Sequence, residues 1–267
     1  MTDHIRYEHP LSERIRNFLR LEHLFARFRD TSNSNEACAH HTALFTLFEI
    51  MEAAARAELK LDILQELERQ KTLVDQYPQW SAEQQQARLD ALQTATQNLH
   101  NVHQKFGQHL RENEWLMAIK QRMLVPGGTS PFDLPSYFYW QQLGAETRRQ
   151  QLHQWIQSLL PTYEAIYLLL HILRSNSWVV ACETSGGSYQ HNSLAQNIHL
   201  LAIDVALAHA ALPEVSANKY FTHIRFLQAS QQQARGKALE GQIPFQLMMC
   251  NFDPVVRCCR PPPNRSP

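Results

Sequence analysis

Fourteen histidines are spread through the 267-residue chain, and imidazole is both a common metal ligand and a common general base. His40 and His41 stand close to Cys38, and His100 and His103 are three apart at helical spacing. Neither set brings a third and fourth ligand at the intervals of a zinc site. They read as core or surface imidazoles, and no metal or other cofactor is implied. Nucleophilic chemistry fares no better. There is no G-x-S-x-G elbow, and none of the five cysteines sits in an active-site signature. Glu66 and Glu68 form a carboxylate pair, but residues two apart on a helix do not face each other, so both are expected in solvent. Only eight glycines occur, with neither G-x-G-x-x-G nor G-x-x-x-x-G-K-[ST], the loops that cradle nucleotide phosphates. No constellation here is that of an enzyme.

What remains is basic. Arg16, Arg20 and Arg27 fall within about 40° of one another on a helical wheel. Leu11, Ile15, Phe18, Leu19, Leu21, Phe25 and Phe28 take the opposite arc. Arg56 closes a helix, and Lys120 with Arg122 precedes "PGG"; a cation is favourable at a helix C-terminus for its own sake. Lys219 and Arg225 share one strand face with Phe221 and His223. Each set is satisfied as solvated surface. Together they also suit a partner that bears carboxylates, which arginine binds through paired N–H donors. The formal net charge is zero, with 25 basic and 25 acidic residues. That disfavours a general polyanion binder and confines any basic surface to a patch.

The elements that must position these residues change character along the chain. The first two-thirds have helical periodicity. A helix is expected over residues 7–28, with Pro10 in its first turn, where the missing N–H costs nothing. "LKLDILQELERQKTLV" should pack along Leu61, Leu64, Leu67 and Val74. Ser81 with Gln84 three residues on is a capping box. Beyond it Leu89, Leu92, Thr96, Leu99, His103 and Phe106 make a seam for an antiparallel helix or a second subunit. From residue 177 the period shifts to two. "SWVVACETSGGSYQ" reads as a hairpin about Gly186 and Gly187, and "LLAIDVAL", "KYFTHIRFL" and "PFQLMMC" as strands. The expected fold is α+β: a helical domain over residues 1–176, a small, mostly antiparallel β-domain over 177–250, and a disordered Pro/Arg-rich tail over 251–267. No apolar leader is present, and "AIYLLLHIL" is too short to span a bilayer. An odd cysteine count without framework spacing fits a reducing compartment. A cytoplasmic protein without membrane insertion is expected.

Several segments in order carry a family resemblance. "YEHPLSERIRNFLRLEHL", "ILQELERQ", "QRMLVPGGTSPFDLPSYFYW", "KYFTHIRF" and "PFQLMMC" resemble stretches of the ZapD family of bacterial cell-division proteins. The resemblance implies a helical domain plus a β-strand domain, a homodimer, and a non-enzymatic role at midcell. It implies binding to the C-terminal tail of the tubulin-like division protein FtsZ, so that a dimer cross-links filaments into bundles. It also implies that Arg20, Arg56 and Arg225 belong to the tail-binding surface, with Arg16 and Lys219 beside it. Glu114, Phe138 and Phe221 depart from the family pattern and leave that surface less basic and more apolar. The competing reading is a nucleic-acid-binding regulator using the same arginines. The neutral charge and the lack of a recognition-helix motif weigh against it.

Overall fold

The computed structural model of the chain describes residues 3–55, 58–77, 80–192, 197–218, 221–233 and 235–254. The architecture is α+β. A strand, β1 (His4–Pro10), opens the chain and is followed by α1 (Glu13–Ser32), α2 (Ala37–Ala53), α3 (Leu59–Leu73) and α4 (Ala82–His100). Next come α5 (Gln108–Arg111), α6 (Glu114–Met123), α7 (Pro135–Gln142), α8 (Ala145–Ile156) and α9 (Leu160–Ser175). The remaining strands are β2 (Ser177–Glu183), β3 (Ser188–Asn192), β4 (Ile198–Ala206), β5 (Ala211–Ala217), β6 (Phe221–Gln228) and β7 (Pro244–Asn251). The described residues fall into two compact units. One takes those in Met1–Ile15, Gln76–Pro78 and His171–Pro267; the other takes those in Arg16–Asp75 and Gln79–Leu170.

The opening strand differs from the expected helix. Residues 4–10 pair antiparallel with β4, from His4 opposite Ala206 to Pro10 opposite Leu200. The α-helix begins only at Glu13, where the Ser12 hydroxyl accepts the Ile15 N–H at 3.3 Å. Pro10 therefore ends a strand at a sheet edge, where its missing N–H leaves no ladder bond unmade. Strand pairing decides the matter: Asp204 receives His4 at 2.9 Å and Arg6 at 3.1 Å, and Arg174 grips Glu8 with two bonds of 2.7 and 2.8 Å.

The strand unit is two antiparallel sheets, ordered β1-β4-β7-β2 and β3-β6-β5. Their facing side chains form one core, in which Phe245 lies 5.3 Å from Phe226 and 5.4 Å from Tyr189, ring to ring. β4 and β7 are central; β4 is buried at Ile198, Val205 and from Leu200 to Ile203, and β7 at Phe245, Leu247 and from Met249 to Asn251. The expected hairpin at Gly186–Gly187 is absent as a ladder: β2 pairs with β7 and β3 with β6, and only an isolated bridge joins Ser185 to Ser188. Gly187 serves the crossing between sheets. Its φ is +74°, and a Cβ there would fall 1.6 Å from the Leu239 carbonyl oxygen. The last strand runs one residue past Cys250, and Phe252 beyond it is fully buried. Residues 255–267 of the expected tail lie outside the described residues.

In the helical unit Phe18, Leu21, Phe25 and Phe28 are buried as the wheel requires, and Phe25 stacks on Tyr163 of α9 at 4.5 Å. The capping box at Ser81 and Gln84 is complete. α3 packs against α4, but on a different phase from the expected one. Ile63, Glu66, Leu67, Gln70 and Val74 are buried and Leu61 is exposed. Glu66 is thus not solvated. It accepts from Arg69 and from Gln70, each at 2.9 Å, which removes the cost of a buried unpaired carboxylate. The seam on α4 is Leu92, Ala95, Thr96 and Leu99; the helix ends at His100, short of His103 and Phe106. The stretch Ala145–Ser175 is long and apolar enough to cross a membrane, but half of its most apolar window is buried within the protein, as in a core helix.

Candidate functional site

The arginine stripe of α1 divides into three environments. Arg20 is exposed and makes no hydrogen bond or ion pair with another described residue. Arg16, one turn earlier, is half-buried. Arg27 is drawn inward: its Nε donates to the Thr46 hydroxyl at 3.0 Å and its Nη2 to the Glu49 carboxylate, both on α2. Helical spacing groups the three arginines, but Arg27 braces α1 against α2 and is not surface to offer. Arg20 lines a shallow depression of about 260 Å³ with Asn17, Glu52 and Ala53. Glu52 is held there by the ammonium of Lys120 from α6, which keeps its carboxyl below the usual carboxylate range. Lys120 therefore reaches across to α2 and does more than cap its own helix.

Arg225 sits on β6, where burial alternates as the sequence implies. Thr222, Ile224 and Phe226 point into the core, and Phe221, His223 and Arg225 point away from it. The strand beside it, β5, carries Glu214 directly opposite Arg225. The Arg225 Nε donates to the Glu214 carboxylate, and Arg235 Nη2 donates to both of its oxygens at 2.7 and 2.9 Å. Two guanidinium groups thus share one carboxylate at a surface where all three side chains are more than a third exposed. Arginine stays protonated, so the cluster keeps one net positive charge.

Sequence reasoning did not find Glu214 or Arg235. The expected strands do not include β5, "ALPEVSA", whose Pro213 is tolerated on an edge strand. Without that strand and its register, nothing sets Glu214 against Arg225. Arg56 and Lys219 lie outside the described residues. Of the three departures, Glu114 is exposed in the first turn of α6, where an acid is favourable. Phe138 and Phe221 are exposed aromatics, 42% and 38% accessible. Among the described residues no group of three or more His, Cys, Asp or Glu could hold a metal ion. Among the described positions Arg20 shares a depression with Glu52 and Arg225 pairs with Glu214, carboxylates that a ligand anion could displace or complement.

Comparison with known proteins gives a consistent picture. The model of the ZapD family, described as cell division protein, matches residues 19–225. The chain is 44% identical over 251 residues to the cell division protein ZapD of Chromobacterium violaceum, covering 93% of this chain and all of that protein. The ZapD of Janthinobacterium sp. (strain Marseille) is 42% identical over the same shares. That of Aromatoleum aromaticum is 40% identical, covering 93% of this chain and 98% of that protein.

Proposed function

The chain belongs to the ZapD family of cell division proteins, and on that premise we propose that it binds the C-terminal tail of FtsZ and, as a homodimer, cross-links FtsZ filaments into bundles at midcell. It is a non-enzymatic factor of the cytoplasm in this reading, and it makes or breaks no covalent bond. The contact residues are Arg16, Arg20, Arg56, Lys219 and Arg225, with Arg235 joined to Arg225 through Glu214.

The observation that carries the reading is the state of Arg20 and Arg225. Arg20 is exposed without an ion pair to another described residue, and Arg225 shares the Glu214 carboxylate with a second arginine. Arginines that served the fold alone would look like Arg27, turned inward onto a carboxylate of their own. A flexible tail loses conformational entropy on binding, so each contact is weak. A dimer overcomes this because the second tail, on the same filament bundle, binds at high effective concentration.

Sedimentation of FtsZ filaments tests the proposal. Low-speed pelleting should rise with this protein when FtsZ is full length and stay at baseline when the FtsZ tail is removed. Equal bundling of tail-less filaments would overturn tail recognition. Bundling by a protein that is monomeric at micromolar concentration would overturn the cross-linking dimer.

A further inference from the structure

A second concave site lies within the helical unit, at residues the family reading leaves unused. A cavity of about 590 Å³ opens between the end of α2, the start of α3, the end of α4 and the loop leading to α5. That size falls among small-molecule sites, roughly 300–1,000 Å³. Its wall is apolar: Ala54, Leu59 and Leu99 are buried, and Val102 and Phe106 half-buried. Beside the neutral Gln104 and Thr162, its charged groups are of one sign. Lys60, Lys105 and Arg111 line it together with His103, and no aspartate or glutamate does among the described residues.

The hydrogen bonds of these cations leave their charge in place. Lys60 Nζ donates to the Val102 carbonyl at 2.7 Å, and Arg111 donates to the carbonyls of Phe106 at 2.7 Å and Met51 at 3.2 Å. A carbonyl fixes the side chain but does not neutralise it. Each cation keeps further N–H donors for a ligand. Glu52, whose carboxyl Arg111 helps to keep ionised, is engaged by Lys120 and lies outside the lining. Gly107 allows the loop its shape. Its φ is +67°, and a Cβ there would sit 2.9 Å from Met51 Cγ, so the turn that sets Lys105 and Phe106 beside the cavity needs glycine.

We propose that this cavity binds a small amphipathic anion, an organic carboxylate whose head lies among Lys60, Lys105 and Arg111 and whose apolar body lies against Leu59, Leu99 and Phe106. An uncharged apolar ligand would leave three cations partly desolvated and unpaired, and an inorganic anion would leave the apolar wall unfilled. The site is independent of the tail-binding reading and can fail without it.

The test uses the full chain with 1-anilinonaphthalene-8-sulfonate as a fluorescent probe, decanoate as the carboxylate and decanol as its uncharged counterpart. Decanoate should displace the probe and raise the melting temperature, with decanol at least tenfold weaker. Lys105 is exposed, so Lys105→Glu should keep the parent melting temperature and weaken decanoate at least fivefold. The milder Lys105→Gln should fall between the two. Added salt should weaken decanoate and leave decanol unchanged. Decanol binding as tightly as decanoate, parent-like affinity in the folded Lys105→Glu protein, or displacement of the probe by an FtsZ tail peptide but not by decanoate would each overturn the proposal.

Discussion

Glu214→Gln should tighten binding of the FtsZ tail, although it removes an ion pair from the strand unit. Glu214 faces Arg225 across the β5–β6 ladder and also holds Arg235 by two bonds. A tail carboxylate that takes Arg225 must come within roughly 5 Å of the Glu214 oxygens. The Coulomb repulsion there is about 0.8 kcal/mol at the dielectric of water and about 3 kcal/mol at a surface value near 20. The side chains are 37–63% exposed, so the lower end applies. Releasing the exposed pairs removes a competing interaction of ~0–1 kcal/mol. The sum, about 1–2 kcal/mol, corresponds to a roughly five- to thirtyfold gain in affinity. The cost to the fold is that of one cross-strand pair, ~0.2–1 kcal/mol. Fluorescence anisotropy of a labelled tail peptide reads the gain, which should shrink as salt rises past about 0.5 M. Equal or weaker binding by a folded Glu214→Gln protein would refute the reasoning, because Glu214 would then not compete with the tail for Arg225.

Arg27→Ala should cost about 1–2 kcal/mol of stability, through its lost bonds to Glu49 and Thr46, and leave tail affinity unchanged; thermal melts and peptide titration separate the two. A chain ending at Pro254 should melt like the full-length protein. One ending at Cys250 loses Phe252, fully buried with its ring 5.2 Å from His199 and under the Arg14 guanidinium. It should lose about 3–5 kcal/mol, or ~6–20 °C in melting temperature. Stability should fall in acid. Burial lowers the folded-state pKa of His40, His41 and His191 below 6.5, so the unfolded chain binds more protons. The stabilisation is complete above about pH 6.5 and is lost as pH falls below it, which urea titrations at pH 7.5 and 5.5 measure. His40 should dominate, because its Nδ1 accepts from the buried Arg148 at 2.8 Å and cannot do so once protonated.

Local rules carried far where one residue decides one contact. The wheel of α1 placed Ile15, Phe18, Leu21, Phe25 and Phe28 in the core, and the Ser81–Gln84 box set the start of α4. Alternation in β6 separated Thr222, Ile224 and Phe226 from Phe221, His223 and Arg225. Reading failed where pairing over long sequence separations decides. β1 is polar and ends in proline, and it is a strand because β4 lies beside it. The glycine pair after β2 resembles a hairpin turn, yet it joins strands of different sheets. Glu66 looks like a surface residue until Arg69 and Gln70 are seen to enclose its carboxylate. The same limit applies to the candidate site. Helical spacing identified Arg20, but charge alone could not tell it from Arg27, and only the β5–β6 register reveals the carboxylate that Arg225 shares with Arg235.

Titration of a labelled FtsZ tail peptide against the parent protein and the Arg20→Glu and Arg225→Glu variants tests the basic-surface account most directly, with circular dichroism as the control for folding. A charge-assisted contact to a carboxylate contributes about 1.5–3 kcal/mol, and reversal to Glu adds repulsion. Each variant should therefore bind at least ten- to a hundredfold more weakly while retaining the parent spectrum. Parent-like affinity in both folded variants would contradict the account and leave these arginines as solvated surface.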